Sequence, residues 1–163
     1  MWPFSLESIH PVIVHFPIAL LLTAVMLDLV AMIGAWPTLH RAALWNLALG
    51  AVAAGLAVWT GLEAEEAAKG PDAIYTIIGL HEKLGISTLV LSAVLLGWRL
   101  IKLDRLTRRA RLLTLPLMLA MVGTVTFGAY LGGRLFYEFG VGSRLGLSQA
   151  GSMNVSPDSD DHR

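Results

Sequence analysis

The sequence predicts an all-α integral membrane protein built as a four-helix bundle. Hydrophobic residues make up 55% of the 163 residues and charged residues only 15%, whereas a soluble domain carries roughly a quarter charged residues. The apolar residues fall into four runs, each long enough to cross a hydrocarbon core of about 30 Å as a helix. Helices are expected because an open strand would leave its backbone groups without hydrogen bonds in lipid.

The four helices are predicted over residues 12–33, 43–62, 77–101 and 112–135, within a membrane domain of residues 1–146. The first nine residues contain no Lys or Arg, and the apolar run after them is too long for a signal peptide, so a retained helix is predicted. Residues 147–163 are rich in Ser and Asp. We expect this acidic tail to be disordered because it has too few apolar side chains to fold alone.

Charge in the connections predicts which side of the membrane each one faces. The link between the third and fourth helices is basic, with six Lys and Arg residues against one Asp over 99–111, and the link between the second and third is acidic. Since basic links stay in the cytoplasm, both termini and the acidic link are predicted to face the outer, periplasmic side. The chain is therefore expected to be a multi-pass protein of the cell inner membrane.

Two histidines point to a cofactor near the outer face. His15 lies near the outer end of the first helix and His81 near the outer end of the third, each where a neutral imidazole still needs partners. Facing helices of a bundle can each offer one imidazole to a shared group. The pair is a candidate for the two axial ligands of a b-type haem. For either histidine alone, hydrogen bonds to carbonyls and water in the headgroup layer are the favoured explanation; for the pair at matched depth, a haem or metal ion is an equally good one.

Glycines and a further histidine accompany this pair. Gly85 lies one turn after His81, and Gly128 and Gly132 have the same spacing on the fourth helix, where they would admit a flat macrocycle or a neighbouring helix. His10 precedes His15 by five residues, which is about 140° of helix rotation. His10 is therefore predicted as a surface residue, a contact to the cofactor edge or a third-ranked ligand.

A polar rim is predicted around the same outer end. Arg134 would meet a haem propionate, and Tyr137 would meet the cofactor or anchor at the headgroups. The alternative to haem is a copper or zinc ion held by imidazole and carboxylate groups. Its ligands would be His10, His15, His81 and Glu82. An interfacial network of ion pairs explains the charged residues without any cofactor.

Two polar residues lie toward the cytoplasmic side. Asp28 is an acid within the first helix, and an intramembrane acid is a functional candidate by default. Because the basic link is near, an ion pair of Asp28 with Arg41 or Arg99 is favoured. His40 lies in the first link, on the wrong side to join the outer cluster, and is expected at the interface.

Composition and motifs exclude several classes of function. The chain has no Cys, so it forms neither disulfides nor thiolate metal sites, and its net charge of zero implies no nucleic-acid partner. We find no nucleophile with a paired base, no phosphate loop and no catalytic carboxylate pair. An electron carrier between a quinone or membrane partner and an outer-face redox protein is favoured over a catalyst with its own substrate. A metal-binding protein and a cofactor-free structural or assembly subunit remain as alternatives.

The opening H-P-x-x-x-H-F-P-I-A-L, a histidine at the start of the third helix and the closing G-G-x-L-x-Y-x-x-G-V-G resemble a known family over about residues 8–143. It is a bacterial four-helix inner-membrane family, domain of unknown function 2231. The resemblance implies four membrane helices, kinship of arrangement with small b-type membrane cytochromes and, in some relatives, association with c-type cytochrome domains. It implies no activity. The positions that carry over are His10, Pro11, His15, Phe16, Pro17, His81, Gly132, Gly133, Leu135, Tyr137, Gly140 and Gly142. Phe136 stands where a smaller aliphatic residue is expected.

Overall fold

A computed structural model of the chain describes residues 6–67, 72–101 and 108–140. These residues form helices α1 (Leu6–Ile13), α2 (His15–Gly34), α3 (Pro37–Ala67), α4 (Asp72–Ile101) and α5 (Arg108–Tyr137). Four stretches are long and apolar enough to cross a membrane: Ile9–Gly34, Pro37–Glu63, Ile74–Ile101 and Thr114–Tyr137. The prediction of an all-helical protein with four membrane-spanning helices is confirmed. The predicted tail over 147–163 lies outside the described residues.

The first span is interrupted at Val14, which separates α1 from α2. Proline has no amide hydrogen, so Pro17 cannot donate to the carbonyl of Ile13, and the helical ladder is weakened at this turn. The Val14 amide still donates to the His10 carbonyl at 3.1 Å. Val14 itself keeps right-handed helical angles (φ −61°, ψ −22°). His10 and His15 lie on either side of it and point in different directions, His10 toward Thr60 and His15 toward the surface.

The helices extend beyond the apolar runs from which their ends were predicted. α3 continues to Ala67 rather than residue 62, α4 begins at Asp72 rather than 77, and α5 begins at Arg108 rather than 112. The reason is that leaving the bilayer does not end a helix; only a change of backbone conformation does. Such a change ends α2, where Ala35 adopts the left-handed conformation with φ 53° and its amide donates to the Ala31 carbonyl.

The four spans pack in chain order around a common core. α2 packs against α3, α3 against α4, and α4 against α5, while α5 closes the bundle through a smaller contact with α2. α1 lies against α3 and α2. The core at mid-bundle contains eight buried apolar residues: Leu21, Ala24, Val25, Leu47, Leu95, Met118, Met121 and Val125. Short links between consecutive helices make neighbours antiparallel, as the up-and-down bundle requires.

A buried ion pair ties three helices together at one end of the bundle, which we call the ion-pair end. The Arg99 guanidinium of α4 donates to Asp28 Oδ1 of α2 at 2.5 Å. His40 of α3 places its Nδ1 2.7 Å from the same oxygen. Of the two predicted partners of Asp28, the structure selects Arg99. His40 was expected at the interface, yet its side chain is only 10% exposed because it completes this cluster.

The contact between α2 and α3 depends on a glycine. A Cβ atom added at Gly50 would lie 2.6 Å from Leu21 Cδ2, and Leu21 is fully buried. We expect Gly50→Ala to destabilise the protein by about 1–3 kcal/mol, since overpacking a filled core forces side chains apart. Thermal unfolding in detergent measures the effect. Gly97→Ala is the matched control because no atom lies within 4 Å of its added Cβ; equal stability of both variants would contradict this packing.

Removing one member of the buried ion pair should be costly. Arg99→Met leaves the Asp28 carboxylate without its guanidinium, and we expect about 3–5 kcal/mol of destabilisation. Chemical unfolding in detergent measures it. Arg134→Met, which breaks an exposed pair with Glu138, should change stability little because solvent screens such pairs. An Arg99→Met protein as stable as the Arg134→Met control would show that the buried pair holds nothing together.

Candidate functional site

A cavity of about 420 Å³ lies at the opposite end of the bundle, which we call the histidine end. Its volume falls within the range of small-molecule and cofactor pockets, roughly 300–1,000 Å³. Residues from all five helices line it, and they include His10, His15 and His81. The cavity extends downward to Thr88 of α4 and Thr124 of α5, whose hydroxyls are hydrogen-bonded to each other at 2.9 Å.

The imidazole rings of His10 and His81 lie close together in the cavity. Their ring centroids are 6.4 Å apart and their planes are nearly perpendicular, at 85°. Two imidazoles that bind opposite sides of one metal ion, each with a nitrogen about 2 Å from it, have centroids roughly 6 Å apart. The spacing of His10 and His81 therefore matches that of two axial ligands. Sequence reasoning ranked His10 third.

The ring of His81 is held by α5. Its Nδ1 lies 2.9 Å from the Gly128 carbonyl oxygen, and a carbonyl can only accept, so Nδ1 carries the hydrogen. A Cβ added at Gly132 would lie 3.0 Å from Cε1 of this ring. Gly132 thus leaves room for the imidazole itself, and Gly128 supplies the acceptor that orients it.

The ring of His10 is held in a parallel way by α3. Its Nδ1 lies 3.0 Å from Thr60 Oγ1, and a Cβ added at Gly61 would lie 3.0 Å from Cε1 of the ring. Each of the two imidazoles therefore lies against a glycine of the neighbouring helix. Each ring also has its Nδ1 in a hydrogen bond to that helix, so Nε2 is the nitrogen that can bind a ligand. Metal-bound histidines commonly have this arrangement, with the other ring nitrogen donating to a carbonyl or another acceptor.

His15 occupies a different position from the one predicted. It lines the cavity but is exposed, at the interruption between α1 and α2. Its Nδ1–H donates to the Pro11 carbonyl of its own span at 2.6 Å. The side chain thereby satisfies a carbonyl at the interrupted turn, which accounts for the histidine without a cofactor. The structure brings His10 and His81 together and leaves His15 at the mouth of the cavity.

The two other predicted glycines line the cavity but do not face the imidazoles. A Cβ at Gly85 would lie 3.7 Å from Val58 Cγ2, and one at Gly128 would lie 3.6 Å from Leu84 Cβ. Both distances are ordinary van der Waals contacts. Both glycines border the cavity, and the carbonyl of Gly128 also accepts from His81.

The predicted polar rim is only partly directed at the cavity. Arg134 binds Glu138 in a bidentate ion pair, with nitrogen–oxygen distances of 2.7–3.0 Å, and does not line the cavity. This hydrogen bonding holds the pKa of the Glu138 carboxyl below its usual range. Tyr137 and Glu82 do line the cavity, and Tyr137 is 86% exposed. The guanidinium predicted to meet a propionate is thus engaged by its own helix.

A copper or zinc site would lack a third ligand in the described part of the chain. Over residues 6–67, 72–101 and 108–140, no group of three His, Cys, Asp or Glu side chains could hold a metal ion. Glu82 shares the cavity with the histidines without forming such a group. The geometry favours a ligand that needs two protein nitrogens.

Neither Thr60 nor Gly61 was predicted from the sequence as a residue of the site. Neither stands out, because a Thr-Gly pair in an apolar helix is ordinary. Their position one helix away from His10 follows from the packing of α1 on α3. A heuristic could have found them: small or hydroxyl residues at the same depth as a histidine, on the adjacent helix.

These features define a multi-pass membrane protein with an imidazole-lined cavity near one end of its bundle. The family model described as predicted membrane protein, DUF2231, matches residues 7–144. The chain belongs to this family, and the resemblance stated from its motifs is confirmed. No curated protein and no solved structure matches the chain.

Proposed function

We propose that the protein binds one b-type haem in the cavity at the histidine end and acts as an electron carrier in the membrane. The main support for this proposal is the distance of 6.4 Å between the ring centroids of His10 and His81. His10 and His81 would supply the two axial nitrogens. This differs from the pairing of His15 with His81 that the sequence suggested, and it makes His15 a residue of the cavity mouth.

The lining of the cavity supports a flat, largely apolar group. Small residues contribute much of it: Ala54, Ala57, Gly61, Gly85, Gly128, Ala129, Gly132 and Gly133. Small side chains let helix backbones and a macrocycle approach closely. The imidazoles project from different helices, and their Nδ1 atoms are already satisfied. The residues present therefore fit the proposed haem.

Haem, when bound, supplies reversible one-electron chemistry. His10 and His81 would both hold the haem, which would then carry electrons rather than bind a substrate. Thr60 and Gly128 orient the rings, and the surrounding helices exclude water. These roles suit an electron carrier rather than an enzyme. The proposed partners are a quinone in the bilayer or a c-type cytochrome at the outer face, which is where charge in the connections puts the histidine end.

Removing either axial imidazole should abolish haem retention. We expect His10→Ala and His81→Ala proteins, purified in detergent from haem-replete cells, to hold less than about a tenth of the haem per chain of the unaltered protein, since each lacks one iron–nitrogen bond. Absorption of the reduced proteins measures the content. His15→Ala is the matched control and should retain its haem.

Two results would count against this assignment. Haem retained by both His10→Ala and His81→Ala would sink the proposed ligands. Loss of haem from His15→Ala together with retention of haem by His10→Ala would show that His15, rather than His10, is the second ligand, as the sequence suggested. In every case, circular dichroism verifies that the variant is still helical.

A methyl group placed against the His81 ring should weaken binding selectively. In Gly132→Ala the added Cβ lies 3.0 Å from His81 Cε1, so the ring must shift by a few tenths of an ångström and strain its bond to Gly128. We expect haem affinity to fall by about tenfold. Gly123→Ala on the same helix is the control, since Gly123 does not line the cavity and its added Cβ meets no described neighbour within 4 Å. Titration of cofactor-free protein with haem compares the two, and equal affinities would contradict the proposed role of Gly132.

A further inference from the structure

The side chain of Thr60 is buried between α3 and α1, where it faces His10. The residue is 3% exposed. Its Oγ1 lies 3.0 Å from His10 Nδ1. The same oxygen lies 3.0 Å from the Leu56 carbonyl and 3.2 Å from the Ala57 carbonyl of α3. A threonine inside a helix often bonds back to its own backbone, but this one also contacts a ring from another helix.

The direction of these hydrogen bonds follows from the chemistry of the groups. A hydroxyl has one hydrogen to donate. Both carbonyls lie within donating distance of the Thr60 hydroxyl. When its hydrogen goes to either of them, Oγ1 accepts from His10 and the ring is the Nδ1–H tautomer, which is the arrangement that we adopt. The lone pair of His10 is thereby confined to Nε2.

The two rings of the pair differ in what fixes them. His81 donates to a backbone carbonyl, that of Gly128, which no side-chain substitution removes. His10 contacts a side-chain hydroxyl, that of Thr60, which a single isosteric substitution removes, and it also has a hydrogen bond with the Ala57 backbone. The His10 side of the cavity can therefore be altered while the His81 side stays intact.

We propose that Thr60 is a positioning residue that fixes the tautomer of His10 and sets the electron donation of this ring to the bound group. The part of this inference that concerns redox potential rests on the proposed function; the part that concerns the tautomer does not. A hydrogen bond donated from Nδ1–H makes the imidazole a stronger ligand and favours the oxidised metal. Loss of the acceptor should raise the midpoint potential and weaken haem binding.

The test compares Thr60→Val, which keeps shape and removes the acceptor, with Thr60→Ser, which keeps the hydroxyl. Thr114→Val is the matched control, because Thr114 is a buried threonine of α5 that does not line the cavity. The first readout is nitrogen NMR of histidine-labelled, cofactor-free protein in detergent, which reports the tautomer of His10. The second is the midpoint potential and the haem affinity of the loaded protein. Should Thr60→Val fail to fold, Thr60→Ala removes the same acceptor.

We expect His10 to be the Nδ1–H tautomer in the unaltered protein, Thr60→Ser and Thr114→Val, and a mixture of tautomers in Thr60→Val. We also expect Thr60→Val alone to show a raised potential and a haem affinity lower by about 10- to 100-fold. An unchanged tautomer in Thr60→Val overturns the inference, whether or not haem binds. An altered tautomer in a protein that takes up no haem supports the positioning role and refutes only the proposed function. A changed tautomer with unchanged potential and affinity overturns the redox part alone.

Discussion

The contact between the His10 and His81 rings is the feature on which the functional interpretation of this bundle depends. The two rings are on helices α1 and α4 and are held by α3 and α5, so four helices must be in place for the contact to exist. Glycines occupy the two positions where any side chain would push the rings away. The hydrogen-bond partner of each ring's Nδ1 is a neighbouring helix rather than the other ring. A pair of imidazoles that are oriented by their neighbours, and whose remaining nitrogens are left for something else, is typical of a ligand set.

The polar groups at the two ends of the bundle differ in their partners. At the ion-pair end, Asp28, Arg99 and His40 are directed at one another, and the charges of the acid and the guanidinium compensate within the protein. At the histidine end, the polar groups satisfy only one nitrogen of each ring and border a cavity. The first arrangement stabilises three helices against each other. The arrangement at the histidine end places two imidazoles at the edge of a cavity, and we therefore propose that the function lies there.

Much of the fold could be predicted from the sequence because the bilayer permits few solutions. Apolar runs of sufficient length must be helices, and short links make neighbours antiparallel. The pairing of Asp28 with Arg99 also followed from a simple argument, since an acid in an apolar helix needs a partner at its own depth. The helix ends were less accurate: hydropathy reports where the chain leaves lipid, while the helices continue in the same conformation to Ala67 and from Asp72.

The sequence pointed to a site at this end of the bundle, with His15 and His81 as the favoured ligands and His10 ranked third. A regular helix separates residues five positions apart by about 140°, and the structure has His10 and His15 pointing apart, with His10 against Thr60 and His15 exposed. The contact of His10 with Thr60, fifty positions away, could not be predicted because it is visible only once α1 packs on α3. Arg134 was expected to meet a cofactor, and the structure shows it bound to the carboxylate of Glu138, just beyond the end of α5.

The account is tested most directly by the iron of the unaltered protein. The full chain, purified in detergent from haem-replete cells, is analysed for iron and haem per chain and examined by absorption and electron paramagnetic resonance spectroscopy. Two imidazole ligands predict about one haem per chain, with six-coordinate, low-spin iron. Protein that contains no haem, or haem whose iron is five-coordinate and high-spin, would contradict a shared site between His10 and His81.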